Sequence, residues 1–118
     1  MNILLVFVGG GLGSLVRYGI SLTISRLDIH FPLATLVSNV VACFIIGAIT
    51  AAVTKGNLTD AHRLLLATGF CGGFSTFSTF SNETLQLAQN GQLLTAFGNI
   101  ILSLVLCLAA TFVALRLF

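Results

Sequence analysis

Charged side chains are the scarcest feature of this 118-residue chain: five Lys or Arg and three Asp or Glu, 7% of the total. A water-soluble domain carries roughly 25% charged residues. This chain could not cover its own exterior with charge, so lipid must meet it instead. The mean hydropathy of +1.09 agrees. The length leaves room for one domain, 1–118, and none for a separate soluble module. The cations Arg17, Arg26, Lys55, Arg63 and Arg116 form no basic stripe, which argues against a nucleic-acid partner. No GxxxxGK[ST] segment is available to cradle a nucleotide phosphate. Neither histidine, His30 nor His62, lies mid-span, and no nucleophile–base set is apparent, so an enzyme is the least supported class.

Cysteine is also sparse. Cys43, Cys71 and Cys107 are odd in number, lack CxxC spacing and lie inside apolar runs, which argues against a disulfide framework or a zinc site. They read as small, reduced packing residues. The N-terminal run lacks the basic start and the A-x-A site of a signal peptide, and it exceeds the usual apolar length. It reads as a retained transmembrane helix.

What is present is four apolar segments, each near the roughly 20 residues that cross a bilayer. They run from about Ile3 to Ile24, Leu33 to Val53, Leu64 to Leu87 and Leu93 to Leu115. Arg26, Asp28, His30 and Pro32 mark the first connection, and Lys55, Gly56, Asn57 and Asp60 the second. Thr59 or Asp60 suits an N-cap there, and Asn90-Gly91 turns the chain before the last segment. The predicted architecture is an all-α membrane protein of four transmembrane helices, broken in the third. Both termini then share a side with Lys55, Arg63 and Arg116, against Arg26 and Arg17 on the other. That slight bias permits insertion both ways round and, with it, an antiparallel dual-topology homodimer. Gly9 and Gly13 stand in GxxxG spacing, a signal for close helix approach in lipid.

The third segment is the informative one. Gly72-Gly73 near its middle should weaken or interrupt the helix. Backbone groups freed in hydrocarbon cost several kcal/mol each unless protein or an ion meets them. Freed carbonyls could hold a cation that prefers hard oxygen ligands, such as Na⁺. Spacing alone favours the simpler alternative, a glycine kink. Beyond the glycines, Phe74, Phe77 and Phe80 recur at every third residue, with Ser75, Ser78, Thr79 and Ser81 between them. Phenyl edges are electropositive, so rings and hydroxyls together could contact a desolvating anion. The alternative is a packing stripe whose serines bond back to their own helix. Asn39 within the second segment is either interhelical glue or a pair of N–H donors to an anion. Glu83 is the one acid expected within a span, which marks it as a functional candidate. Arg17 could snorkel to the interface or attract anions to a pathway mouth.

At these residues the chain resembles the Fluc (CrcB-type) fluoride channels over essentially its full length. The matching blocks are Gly10-Gly11-x-Gly13-Ser14-x-x-Arg17-Tyr18, Pro32-x-x-Thr35-Leu36-x-x-Asn39, and Gly69-x-Cys71-Gly72-Gly73-x-Ser75-Thr76-Phe77-Ser78-Thr79-Phe80-Ser81-x-Glu83. The third block is long and chemically unusual. The resemblance implies a passive fluoride-selective channel of the bacterial plasma membrane that exports F⁻ and protects against its toxicity. It also implies an antiparallel homodimer with two pores and a central structural Na⁺, held by the carbonyls matching Gly72 and Ser75. Phe77 and Phe80 would line the pores with Asn39, Ser78 and Thr79. Ser103 and Asn99 in the fourth helix fall where polar pore-facing residues are expected, Arg17 would sit at an aqueous vestibule, and Glu83 completes the set. Ala34 replaces a usual Gly, and Ser75 a common Thr; neither touches the pore chemistry. A small multidrug transporter would need a membrane-embedded acid in helix one, which has none. A holin-like lesion protein would explain four apolar helices but not the dense Ser/Thr/Phe block.

Overall fold

With no water in the bilayer to bond exposed amides, an apolar run closes its hydrogen bonds within itself. The computed structural model, which describes residues 1–118, is accordingly all helical. Helix α1 spans Asn2–Ser25 and α2 spans Leu33–Thr54. The third segment begins with α3, Asp60–Arg63, and continues as a π-helical stretch, Leu64–Cys71, and the short α4, Gly72–Phe74. After a break it resumes as α5, Phe77–Gln89, and α6 runs Leu93–Leu117. Thr59 caps α3 as expected: its hydroxyl accepts from the His62 amide, and His62 returns the bond to the Thr59 amide.

Three of these helices, α1, α2 and α6, are long and apolar enough to cross a membrane unbroken. The third segment is not among them, because its second half, α5, has only 13 residues.

Two close packings organise the bundle. A methyl at Gly9 would collide with the Leu65 carbonyl, and one at Gly13 with the Phe70 carbonyl. The GxxxG face of α1 therefore lies directly on the π-helical stretch and α4 of the same chain. On the other side α2 meets α6, where a methyl at Gly47 would stand 2.7 Å from the Thr111 carbonyl. The outer faces of α1 and α6 are left with exposed Leu, Val, Ile and Phe, a surface suited to lipid.

The break falls elsewhere than the glycine pair. Gly72 is helical (φ −62°, ψ −37°), and the chain leaves the helix at Ser75 (φ −84°, ψ 155°) and Thr76 (φ −152°, ψ 115°). Gly73 serves close approach instead, since a methyl there would strike the Gly10 carbonyl. A methyl added at Gly72 would meet nothing within 4 Å. Glycine is needed for close approach at Gly73, whereas at Gly72 a single chain leaves room for a side chain, and neither glycine unwinds the helix.

Candidate ion path around the helix break

An interrupted helix leaves N–H and C=O groups without their i→i−4 partners. Asn39 meets those at Thr76: its Oδ1 accepts from the Thr76 N–H at 2.8 Å, and its Nδ2 donates to the Thr76 carbonyl at 3.2 Å. The side-chain amide thus stands in for a peptide across the gap. The Thr76 hydroxyl restarts the chain as the N-cap of α5, accepting from the Thr79 amide at 3.2 Å. Upstream, the Gly73 carbonyl accepts from Arg17 Nε at 3.2 Å and from the Ser14 hydroxyl at 3.4 Å. Two carbonyls are treated differently. The Thr76 N–H, which a continuous helix would give to Gly72, goes to Asn39, and no main-chain N–H reaches the Ser75 carbonyl.

Two spaces open beside this junction, the first polar and the second largely apolar. One cavity of about 340 Å³ lies among α1, α2 and α5 and is lined by Ser14, Arg17, Thr35, Ser38, Thr79 and Glu83. Within it Thr35 donates to the Glu83 carboxylate at 2.6 Å. The Ser38 hydroxyl is fully buried and has no hydrogen-bond partner. A second groove of about 250 Å³ shares no lining residue with the first and has Asn39, Thr76, Phe77, Phe80 and Ser103 among its walls. Its polar backing continues down α6: Ser103 donates to Asn99 at 3.3 Å, and Asn99 donates to Thr84 at 2.9 Å.

The structure therefore divides residues that share one motif in the sequence. Arg17, Thr79 and Glu83 share the first cavity; Asn39, Phe77, Phe80 and Ser103 share the second groove. Ser78 lines neither and stands exposed, its hydroxyl 3.2 Å from that of Thr76. Phe74 leaves the aromatic stripe altogether. It is 1% exposed and stacks on Phe70 at 5.5 Å, whereas Phe77 and Phe80 pair at 5.7 Å and Phe77 is 79% exposed. The every-third-residue spacing holds only on an unbroken helix, and Ser75–Thr76 rotates the two halves apart. Sequence reasoning missed Ser38 as a lining residue, although Thr35, Ser38 and Asn39 at i, i+3 and i+4 mark one face of α2. It also missed Thr76 as the hub of the break.

Three unbroken apolar spans with a polar-lined, interrupted third segment define a multi-pass helical membrane protein built around a non-helical junction. The family described as "CrcB-like protein, Camphor Resistance (CrcB)" matches residues 4–115, and the chain belongs to it. A relative from Serratia proteamaculans (strain 568), named "Fluoride-specific ion channel FluC", is 43% identical over 117 residues, covering 98% of this chain and 92% of its own length. Relatives of the same name from Gloeothece citriformis (strain PCC 7424) and Flavobacterium psychrophilum are 46% identical over 121 residues and 44% over 116. They cover 99% and 97% of this chain, and 96% and 94% of their own lengths.

Proposed function

We propose that this chain is a passive fluoride-selective channel of a bacterial plasma membrane, working as an antiparallel homodimer. It is not an enzyme: its named relatives are ion channels. The observation that carries the reading is the junction at Ser75–Thr76, held by Asn39 between a polar cavity and an aromatic groove. The broken segment serves as the fourth span, its halves together making up the length that neither has alone.

In this reading, fluoride collects in the cavity at Arg17, whose guanidinium offsets the Glu83 charge, and meets the Thr79 and Ser38 hydroxyls. It then passes Asn39, which keeps one amide N–H beyond the bond to Thr76, and the ring edges of Phe77 and Phe80, with Ser78 and Ser103 alongside. Donors of this kind replace hydration weakly, as conduction requires, because tight binding would stop the ion. HF enters cells as a neutral acid and ionises in a less acidic cytoplasm, so a passive F⁻ leak driven by the negative interior empties the cell. The high exposure of the Phe77 ring in a single chain supports a partner that completes the groove. A two-fold pair would carry two such paths.

The carbonyls of Gly72 and Ser75 fit a hard cation: both are main-chain oxygens, Gly72 lies on an open face, and Ser75 lacks a donor. Doubled across a dimer axis, they would hold Na⁺, which supplies positive charge to tie two broken helices together.

The test is fluoride efflux from liposomes carrying the purified protein, with chloride measured in parallel. Fluoride alone should leave. Equal leakage of both ions, or none of either, overturns the assignment. Phe77→Ile and Phe80→Ile should each lower fluoride flux by roughly tenfold or more, about 1.4 kcal/mol of lost ion stabilisation, while the dimer still assembles on size exclusion. Wild-type flux in both variants removes the rings from the path.

A further inference from the structure

Two of the three cysteines meet at the wall of the aromatic groove, where they do more than fill space. The Thr111 hydroxyl shares its one proton between the Cys107 carbonyl at 3.0 Å, one turn earlier on α6, and the Cys43 carbonyl at 3.2 Å on α2. Bonding both carbonyls to one oxygen draws the two helices together at this level. The Cys43 and Cys107 side chains stand on facing helices at the level that Thr111 ties together. Both face the groove that holds Asn39, Phe77, Phe80 and Ser103. All three cysteines are unbridged; Cys71 is the buried one and opens with Cys43 onto a different pocket, beside Gly72 and Ser75. No third His, Cys, Asp or Glu joins the pair to make a three-ligand metal set.

A site with two sulfurs and no carboxylate or imidazole rejects hard and tetrahedral ions, and selects soft thiophilic ones. We propose that Cys43 and Cys107 form a two-coordinate site for a soft d¹⁰ cation, with Hg²⁺ the best match, and that its occupation obstructs the groove. Each thiol gives up its proton, two S–Hg bonds form, and two H⁺ leave to water. Two thiolates cancel the charge of Hg²⁺, so the product is neutral and escapes the large penalty for a net charge in an apolar medium. Cu⁺ or Ag⁺ on the same pair would leave a net negative site, costlier in hydrocarbon and repulsive to a passing anion. The obstruction rests on the proposed fluoride path; the metal site itself does not.

The experiment uses the full-length protein and mercuric ion alone, in two readouts. Thiolate-to-mercury charge-transfer absorbance counts bound metal without reference to transport. One Hg²⁺ per chain is expected in the wild type and in Cys71→Ser, with affinity lowered by roughly a hundredfold or more in Cys43→Ser and Cys107→Ser, about 2.8 kcal/mol at 1.4 kcal/mol per tenfold. A two-thiolate signal kept in Cys43→Ser or Cys107→Ser, or lost in Cys71→Ser, overturns the site. In liposomes, Hg²⁺ should cut fluoride flux by roughly tenfold in the wild type and in Cys71→Ser, reversibly with dithiothreitol. Each serine variant of the pair is compared with and without metal, and should be insensitive. Tight stoichiometric binding with undiminished wild-type flux would overturn the obstruction and take the groove out of the ion path. Should the protein carry no fluoride at all, the absorbance readout still decides the thiol pair.

Discussion

Asn39→Ala is expected to abolish measurable fluoride flux and to lower the thermal stability of the detergent-solubilised protein. The substitution removes the acceptor of the Thr76 N–H and the donor to the Thr76 carbonyl together. Each main-chain group left unpaired away from water costs about 1–3 kcal/mol, and Thr76 has no helical bond of its own to fall back on. The junction should then collapse toward continuous helix or fray, and either outcome rotates Phe77 and Phe80 out of the groove. Asn39→Asp separates the two roles of the side chain. It retains an acceptor for the Thr76 N–H, so it should unfold later than the alanine variant, yet its negative charge should block fluoride as completely. Wild-type flux in Asn39→Ala would show that the junction holds without its amide. Equal unfolding temperatures for the two variants would show that the N–H bond is not what matters.

The second large effect contrasts two glycines, Gly13 of α1 and Gly72 of the third segment. Gly13→Val should fail to accumulate as folded protein, because its side chain would run into the Phe70 carbonyl and come within 2.8 Å of the Phe74 amide nitrogen. Backbone cannot step aside as a flexible side chain can, so the cost should exceed the usual 1–3 kcal/mol or so of an overpacked core. Gly72→Val meets nothing within 4 Å in a single chain, and should fold. If Gly72 stands at the centre of an antiparallel pair, as proposed, the valine should nonetheless abolish dimerisation and fluoride flux. Light scattering on the purified variants reads the first effect, and liposome efflux the second. A conducting, dimeric Gly72→Val protein would move the dimer axis and the Na⁺ site away from this residue.

These contrasts show what was legible in the residues themselves. The GxxxG face of α1 was, because close approach in lipid leaves a local signature of small residues at one spacing. Its target was not: Gly9 and Gly13 pack on carbonyls of the third segment, and nothing near them in sequence names that surface. Asn39 was legible as important but open between glue and anion donor. The structure gives both of its amide atoms work as glue and leaves one N–H over. Spacing puts the break at Gly72-Gly73 and the resemblance widens it to Gly72 through Ser75; the chain leaves the helix at the far end of that stretch, Ser75–Thr76. Glycine's low helix preference was a weaker force than the pairing Asn39 offers to an extended Thr76.

By itself the sequence determined membrane residence, the helical class and the bounds of the spans. These follow from the length and hydropathy of contiguous runs and from the charges and caps between them, all properties of neighbouring residues. Tertiary structure decided where the third helix opens, that Phe74 packs on Phe70 while Phe77 and Phe80 face a groove, and that Arg17 meets the Gly73 carbonyl. The opening and the Arg17 bond depend on which unsatisfied polar group finds a partner tens of positions away in the chain, and the two directions taken by the rings follow from where the helix opens; only the folded packing brings such partners within bonding distance.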